Sequence, residues 1–193
     1  MSYNNLIQDG TGQGYLARVD NQNRLRVKAV GRTEYDSQAI AGEAFNINTE
    51  LLSVGVNTES PLLVLTNNGS RDVVLQGWFI GTDLGTVGAN LGLMRTYLNV
   101  TGFSGGSAVP IVNRKSGDAF SFSINALSSP TWTPSGTPVL YQTQNLGQRV
   151  FGNVFLILPA GQSCAVTAEF STATTPYDIY TGFTGYLADA ADG

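Results

Sequence analysis

Residues 163–170 read Ser163-Cys164-Ala165-Val166-Thr167-Ala168-Glu169-Phe170, and this stretch carries the clearest structural pattern in the chain. Every second residue from Cys164 to Phe170 is apolar, and polar residues fill most of the positions between them. A repeat of two residues is typical of a β-strand with one buried face. Two further strand-like runs, Val150–Leu158 and Tyr177–Leu187, flank this stretch. We therefore predict consecutive strands over this part of the chain.

Shorter strand-like runs, separated by turn residues, precede this region. Apolar residues do not recur at helical spacing over a long window, and only residues 89–98 could form a short helical turn, although Tyr97 and Val100 suit a strand equally well. Residues 125–136, rich in Ser and Pro, are predicted to form a long surface loop. The other predicted strands are residues 39–47, 51–56, 61–66, 72–82, 91–100, 108–112, 119–124 and 138–143. So many short strands predict an all-β fold, a jelly roll or another β-sandwich.

Residues 1–37 are predicted to form an N-terminal arm that contains a β-hairpin. Residues 14–19 and 24–30 are strand-like, and the second run alternates apolar residues with Arg24, Arg26 and Lys28. An isolated hairpin is only marginally stable in water, so this one should pack on the body or on a neighbouring subunit. The β-sandwich domain is predicted to span residues 38–188, followed by a flexible C-terminal tail at residues 189–193.

Charge is divided unevenly along the chain. Residues 1–32 hold five of the ten basic residues, among them Arg18, and two of the fourteen acidic ones, a net charge of +3 that leaves −7 for the rest. A basic arm on an acidic body can steer docking onto an acidic neighbour. The alternative interpretation is that these charges only solvate one face of the hairpin.

The overall composition indicates a surface that partners cover. Charged residues make up only 12% of the chain, against roughly 25% in average globular proteins. The single cysteine, Cys164, cannot form an intramolecular disulfide and is expected to be a buried small hydrophobic residue. We expect neither a signal peptide nor a membrane span, because the start of the chain lacks a basic and apolar leader and no apolar run is long enough.

The absence of histidine excludes most familiar catalytic sites. It removes the commonest general base and metal ligand and every Ser-His or Cys-His nucleophile pair. A glycoside hydrolase needs only two carboxylates, and four candidates lie at predicted turns or strand ends: Asp83, Asp118, Glu169 and Asp178. No spacing singles out two of them, so solvated surface carboxylates are the favoured interpretation. We predict a non-enzymatic protein with no metal site and no other cofactor.

Nucleotide and nucleic-acid binding are also disfavoured. The glycines at residues 10–14 lack the spacing of a dinucleotide site, and residues 81–88 lack the Gly-Lys-Ser/Thr ending of a P-loop. The acidic body opposes nucleic-acid binding. Trp132, flanked by Pro130 and Pro134 in the predicted loop, is the exception among aromatic residues that otherwise follow strand patterns. It is a candidate exposed contact for a sugar or a protein, but the favoured interpretation is that it plugs the end of the sandwich.

Two segments of the sequence resemble structural proteins of tailed bacteriophages. Residues 14–20 followed by residues 23–29 resemble the N-terminal segment of many such proteins. Residues 158–163, the strand after them and Tyr177–Leu187 resemble the last strands of their jelly-roll domains. Within that group the chain looks most similar to capsid decoration (cement) proteins. The likeness rests on short motifs that cover roughly a third of the chain.

The resemblance implies a virion protein that is made in the host cytoplasm and binds the outer surface of the head as a homotrimer. It would bridge copies of the major capsid protein or another virion protein, with Arg18, Arg24, Arg26 and Lys28 facing that scaffold. No nucleic acid or membrane is expected as a partner. The first alternative is a phage fibre, knob or baseplate module that binds host carbohydrate, with Trp132 exposed. A glycan-cleaving enzyme, with two carboxylates across a groove, ranks last.

Overall fold

The computed structural model describes residues 34–55, 57–82, 91–117, 120–145, 150–170 and 177–188. The chain divides into two units, residues 1–33 and residues 34–193, and all described residues belong to the second unit. The predicted hairpin, its basic residues Arg18, Arg24, Arg26 and Lys28, and the predicted tail therefore lie outside the described residues.

The described residues form one short helix and a series of β-strands. The helix is α1 (Glu34–Ala41). The strands are β1 (Ala44–Asn48), β2 (Leu52–Val54), β3 (Ser60–Asn67), β4 (Val73–Thr82), β5 (Leu91–Leu98), β6 (Ser107–Ala108), β7 (Ile111–Asn113), β8 (Ile124–Ser128), β9 (Leu140–Asn145), β10 (Val150–Leu158), β11 (Ser163–Phe170) and β12 (Tyr177–Leu187).

These strands form two antiparallel sheets that pack on each other. The first sheet has the order β10-β4-β12-β1-β7, and β2 also pairs with β12. The second sheet has the order β6-β8-β3-β11-β5-β9. The predicted all-β sandwich is therefore confirmed.

The pairing of the main strands is that of a jelly roll. When the short β2 and the inserted β6, β7 and β8 are set aside, the first remaining strand pairs with the last, β1 with β12. Moving inward, β3 pairs with β11, β4 with β10, and β5 with β9. This nested pairing arises when one long antiparallel hairpin folds over into two stacked sheets. The jelly roll thus follows from strand order alone.

The main core lies between the two sheets. The first sheet contributes Phe45 and Phe183, both at most 1% exposed, and the second contributes Val166 and Phe170. Cys164 is fully buried in the same core, as its alternating strand predicts. Burial of each large side chain of this kind is worth about 1.5–3 kcal/mol, so the facing apolar sets of the sheets stabilise the sandwich.

Helix α1 includes residues 39–41, which were predicted to begin the strand at residues 39–47. It ends at Ala41 because Gly42 adopts a left-handed conformation, φ 85°, and two backbone bonds close the end: Gly42 N to Ala39 O and Glu43 N to Gln38 O. The predicted strand is thus correct only from Ala44 onward. Ala39 packs on a small cluster formed by Ala44, Val74 and Tyr186. The helix therefore covers one part of the outer face of the first sheet, and it spans the predicted domain boundary at residues 37/38.

The segment between β5 and β9 differs most from the prediction. The strand predicted at residues 119–124 is wrong, because β8 begins only at Ile124 and runs through the first part of the predicted loop. Alternate residues of β8 (Ile124, Ala126 and Ser128) are buried where the strand pairs with β3. The strand predicted at residues 108–112 is divided into β6 and β7, which belong to different sheets.

Candidate binding surface

Strand β10 lies at the edge of the first sheet and exposes large apolar side chains. Phe151, Phe155 and Ile157, which alternate along one face of the strand, are 67%, 69% and 46% exposed. The nine residues of β10 include no charge and no proline. Natural sheet edges are usually protected by charges, prolines or short length, because an open edge invites pairing with another chain. We call Phe155 and Ile157 the β10 strip, and such a strip is typical of a protein contact surface.

A groove enclosing about 310 Å³ lies on the outer face of the first sheet, beside Phe151. Phe79 of β4 lies between the other two aromatic residues of this groove. Its ring centroid is 6.1 Å from that of Phe151 and 6.2 Å from that of Tyr180. These distances are within the range of attractive aromatic pairs. The three rings therefore form a continuous aromatic floor.

Two glycines allow these rings to lie against the sheet. A Cβ atom added to Gly81 would come within 2.2 Å of Tyr180 Cζ, and one added to Gly182 within 2.5 Å of Phe79 Cζ. Both distances are far below van der Waals contact, so any larger residue would lift the rings. Glycine is therefore required at these two positions, because a side chain there would overlap with the aromatic rings.

The remaining wall of the groove is polar. Asn46 and Asn48 are two residues apart on β1 and so project from the same face of the strand, where Arg114 and Thr184 also line the groove. Oδ1 of Asn46 is buried and has no hydrogen-bond partner. An unpaired buried acceptor costs about 1–3 kcal/mol, so this amide is a polar group that a ligand or solvent molecule would stabilise.

The outer face of the second sheet carries an ion cluster. Arg95 Nη2 lies 2.7 Å from Glu169 Oε2, and Arg95 Nη1 lies 3.0 Å from Glu59 Oε2. Arg95 Nη1 makes no hydrogen bond. Its contact with Glu59 is therefore an ion pair only. The Tyr97 hydroxyl donates to Glu59 Oε1 at 2.8 Å, and the Thr167 hydroxyl donates to the same oxygen. The cluster therefore ties β5 and β11 to the residue that precedes β3.

The charge balance within this cluster favours the ionised arginine. Burial acts to lower the pKa of Arg95, but the hydrogen bond to Glu169 and the charges of Glu59 and Glu169 outweigh it, and the pKa is raised above its usual value. Arg95 therefore holds both carboxylates in ion pairs, and these contacts stabilise the packing of β5 against β11. Of the four predicted carboxylates, Asp83 and Asp118 lie outside the described residues, and Asp178 is exposed on β12, in the other sheet from Glu169.

Trp132 is buried, which corrects its prediction as an exposed loop contact. Its side chain is only 9% exposed and meets Tyr97 edge to face, with ring centroids 5.4 Å apart. The loop folds back over the second sheet because Ser104 and Thr131 exchange backbone hydrogen bonds of 3.0 Å and 2.8 Å. Trp132 therefore covers the outer face of a sheet, together with Val100, and does not plug the end of the sandwich.

One feature of the sequence indicates the β10 strip. In β10 both alternating sets are apolar: Val154 and Leu158 are buried, while Phe155 and Ile157 are exposed. A strand that is apolar on both faces must either be covered on both or present one face to a partner. Because β10 lies at a sheet edge, its second apolar face is left open to a partner. The sequence alone does not show that β10 is an edge strand.

The described residues contain neither a cluster of metal ligands nor a membrane-spanning helix. They contain no group of three or more Cys, Asp or Glu residues that could hold a metal ion, and none of their helices is long and apolar enough to cross a membrane. Neither a protein-family model, nor a curated protein, nor a solved structure matches the chain. Fold and surface alone therefore define its class within the described residues: a jelly-roll protein with an apolar edge strand, β10, and an aromatic groove beside it.

Proposed function

We propose that this chain is a non-enzymatic virion protein that binds the outer surface of a capsid and stabilises the head by bridging neighbouring capsid subunits. Jelly rolls occur among viral capsid proteins, but also among lectins and cupins, so the fold alone does not select this function. The observation that carries the proposal is the apolar strand β10 at the edge of the described first sheet, with Phe155 and Ile157 exposed at 69% and 46%. Such a surface is best explained by permanent coverage in an assembly.

The β10 strip supports contact between copies of the chain. In a homotrimer with threefold symmetry every interface is heterologous, so β10 of one copy meets a different surface of the next copy. Burial of Phe155 and Ile157 would contribute about 1.5–3 kcal/mol each at every interface. A closed ring would bury all the strips at once and leave no open edge.

The N-terminal arm supplies the proposed capsid contact. Its basic residues Arg18, Arg24, Arg26 and Lys28 would face an acidic surface of the major capsid protein or another virion protein. Three arms on one trimer reach several capsid subunits, and linked contacts of this kind bind far more tightly than any one of them. The head is stabilised because the trimer must release several contacts before the subunits separate.

The first test is the mass of the purified chain in solution, measured by light scattering. We expect a trimer for the full chain and dissociation to monomers when Phe155 and Ile157 are both replaced by serine. The matched control is Val139→Ser, which removes another exposed apolar side chain, 51% exposed, in a different part of the fold. A chain that is monomeric at all concentrations would overturn the trimer.

The second test is sedimentation of the chain with capsid shells of the virus that encodes it. The full chain should sediment with the shells, and a chain that begins at Glu34 should remain trimeric in solution but fail to sediment. This truncation leaves α1 intact, whereas a cut after residue 37 would divide the helix. Binding of the truncated chain equal to that of the full chain would overturn the role given to the arm, and lack of binding by either would overturn the function.

A module of a phage fibre, knob or baseplate that binds host carbohydrate is the second candidate. The aromatic groove favours it, since Phe151 presents an exposed ring beside polar side chains. The two candidates differ in location: a decoration protein sediments with heads, and a fibre or baseplate module sediments with tails.

A further inference from the structure

We infer that the groove formed by Phe79, Phe151, Tyr180 and the amides of β1 is a carbohydrate site that takes a pyranose sugar. This inference concerns the groove alone and does not depend on the place of the chain in a particle. It assigns the site to residues that the sequence did not single out, in place of the buried Trp132.

The aromatic floor supplies the first requirement of such a site. The C–H groups on one face of a pyranose form an apolar patch that packs on the flat face of an aromatic ring. Phe151 is 67% exposed and meets Phe79 at a ring angle of 44°. Phe79 itself is only 7% exposed, because Phe151 and Tyr180 flank it and Gly182 lies beneath it. Phe151 is therefore the stacking platform, and Phe79 holds it in place.

The polar wall supplies the second requirement, which is directional recognition of hydroxyl groups. Asn46 and Asn48 lie roughly 6.6 Å apart along β1, a spacing that suits two hydroxyls on one sugar ring. Each amide offers both a donor and an acceptor, which is what a sugar hydroxyl, itself a donor and an acceptor, requires. Asn46 lines the groove, and its buried Oδ1 has no hydrogen-bond partner. A half-turn of the amide on ligand binding would bring this oxygen to the groove, where a ligand hydroxyl would donate a hydrogen bond to it.

The size and charge of the groove limit the ligand class. At about 310 Å³ it lies at the lower end of small-molecule sites, a volume that holds one or two sugar units. Arg114 also lines the groove, and its guanidinium is suited to a carboxylate on an acidic sugar. Neutral and acidic pyranoses share the stacking chemistry, and a comparison of the two separates the contribution of Arg114.

The experiment is a titration of the full chain, followed by protein-observed NMR, with three probes: maltotetraose, chitotetraose and tetragalacturonate. We expect at least one of them to bind with a Kd below about 10 mM and to shift the signals of Asn46 and Asn48. The variant Phe151→Ala should weaken this binding at least tenfold. The variant Arg114→Gln should bind tetragalacturonate more weakly and bind the neutral sugars with unchanged affinity. This result would assign the preference for an acidic sugar to Arg114.

Phe155→Ala is the matched control. Phe155 lies on the same face of the same strand, with an exposed fraction of 69% against 67% for Phe151, but it does not line the groove. Its removal should leave sugar binding unchanged, and Phe151→Ala should leave the mass of the assembly unchanged. A failure of the β10 interface and a failure of the sugar site are therefore distinguishable. Absence of binding by all three probes, or binding that survives Phe151→Ala, would overturn the inference.

Discussion

Trp132 and Tyr97 meet edge to face on the outer surface of the second sheet, with ring centroids 5.4 Å apart and an interplanar angle of 80°. Together with Val64, Val100 and Ala165 they form a second, smaller hydrophobic cluster outside the main core. This cluster explains why Ala165, on the outward side of β11, is fully buried. The loop that carries Trp132 is therefore a structural cover of the sheet.

The first prediction is that Trp132→Ala destabilises the fold by about 3–5 kcal/mol, the usual cost of removing a buried tryptophan. Urea denaturation monitored by circular dichroism measures the free energy of unfolding. Trp132→Phe is the control, since it keeps a ring against Tyr97 and should cost less than half as much. Sugar binding by a folded Trp132 variant should equal that of the original chain. A loss below about 1 kcal/mol would contradict the structural role.

The sequence predicted correctly the strands that have long alternating or apolar runs. Strands Val150–Leu158, Ser163–Phe170 and Tyr177–Leu187 have the predicted boundaries, because long alternating or apolar runs end at clear turn residues. Helix α1 was missed because eight residues are only about two turns, too short for a helical repeat to show. Its one local signal is Gly42, which occupies the left-handed C-terminal cap.

The second prediction concerns Arg95, which lies between Glu59 and Glu169. Replacement by methionine keeps the stem but leaves two partly buried carboxylates facing each other without a cation, at a cost of about 2–4 kcal/mol at pH 7. Urea denaturation of the original and variant chains at pH 7 measures this difference in the free energy of unfolding.

The control for Arg95 is a variant that removes all three charges, Arg95→Met with Glu59→Gln and Glu169→Gln. Its free energy of unfolding should exceed that of Arg95→Met at pH 7, because no unpaired charge remains. Equal stability of the two variants at pH 7 would show that the carboxylates do not need their cation.

The third prediction uses the close approach at Gly182. A Cβ atom there would lie 2.0 Å from the backbone oxygen of Ile47 and 2.5 Å from Phe79 Cζ. Backbone cannot move aside as a flexible side chain can, so Gly182→Ala should destabilise the chain by about 2 kcal/mol or more. Gly55→Ala is the control, since nothing lies within 4 Å of its Cβ position. It should change the free energy of unfolding by less than about 1 kcal/mol, in the stabilising direction. Similar melting temperatures for both variants would contradict this packing.

The candidate site was less predictable than the fold because it depends on which strands end as neighbours. Phe79, Phe151 and Tyr180 lie on β4, β10 and β12, and their places in the sequence carry no sign that they share one groove. Trp132 suggested an exposed ring from its flanking prolines, but the backbone bonds between Ser104 and Thr131 turn its loop inward. Both the composition of the groove and the burial of Trp132 depend on long-range strand pairing. The local sequence pattern does not encode such pairing.

The last prediction follows from the environment of Cys164, whose pKa burial raises from 9.0 to about 12. In the unfolded chain the thiol loses its proton near pH 9, whereas in the folded chain it stays protonated up to about pH 12. The unfolded state therefore binds fewer protons between these values, and the free energy of unfolding should fall by about 1.4 kcal/mol per pH unit above pH 9. Below pH 9 this contribution to stability is fully present. Other groups titrate in the same range, so the comparison is with Cys164→Ala, whose stability should fall less steeply between pH 9 and pH 10.5. A thiol reagent at pH 8 should also leave the folded chain unmodified and label it in urea. Parallel pH profiles for the two chains, or rapid labelling of the folded chain, would contradict the buried, protonated thiol.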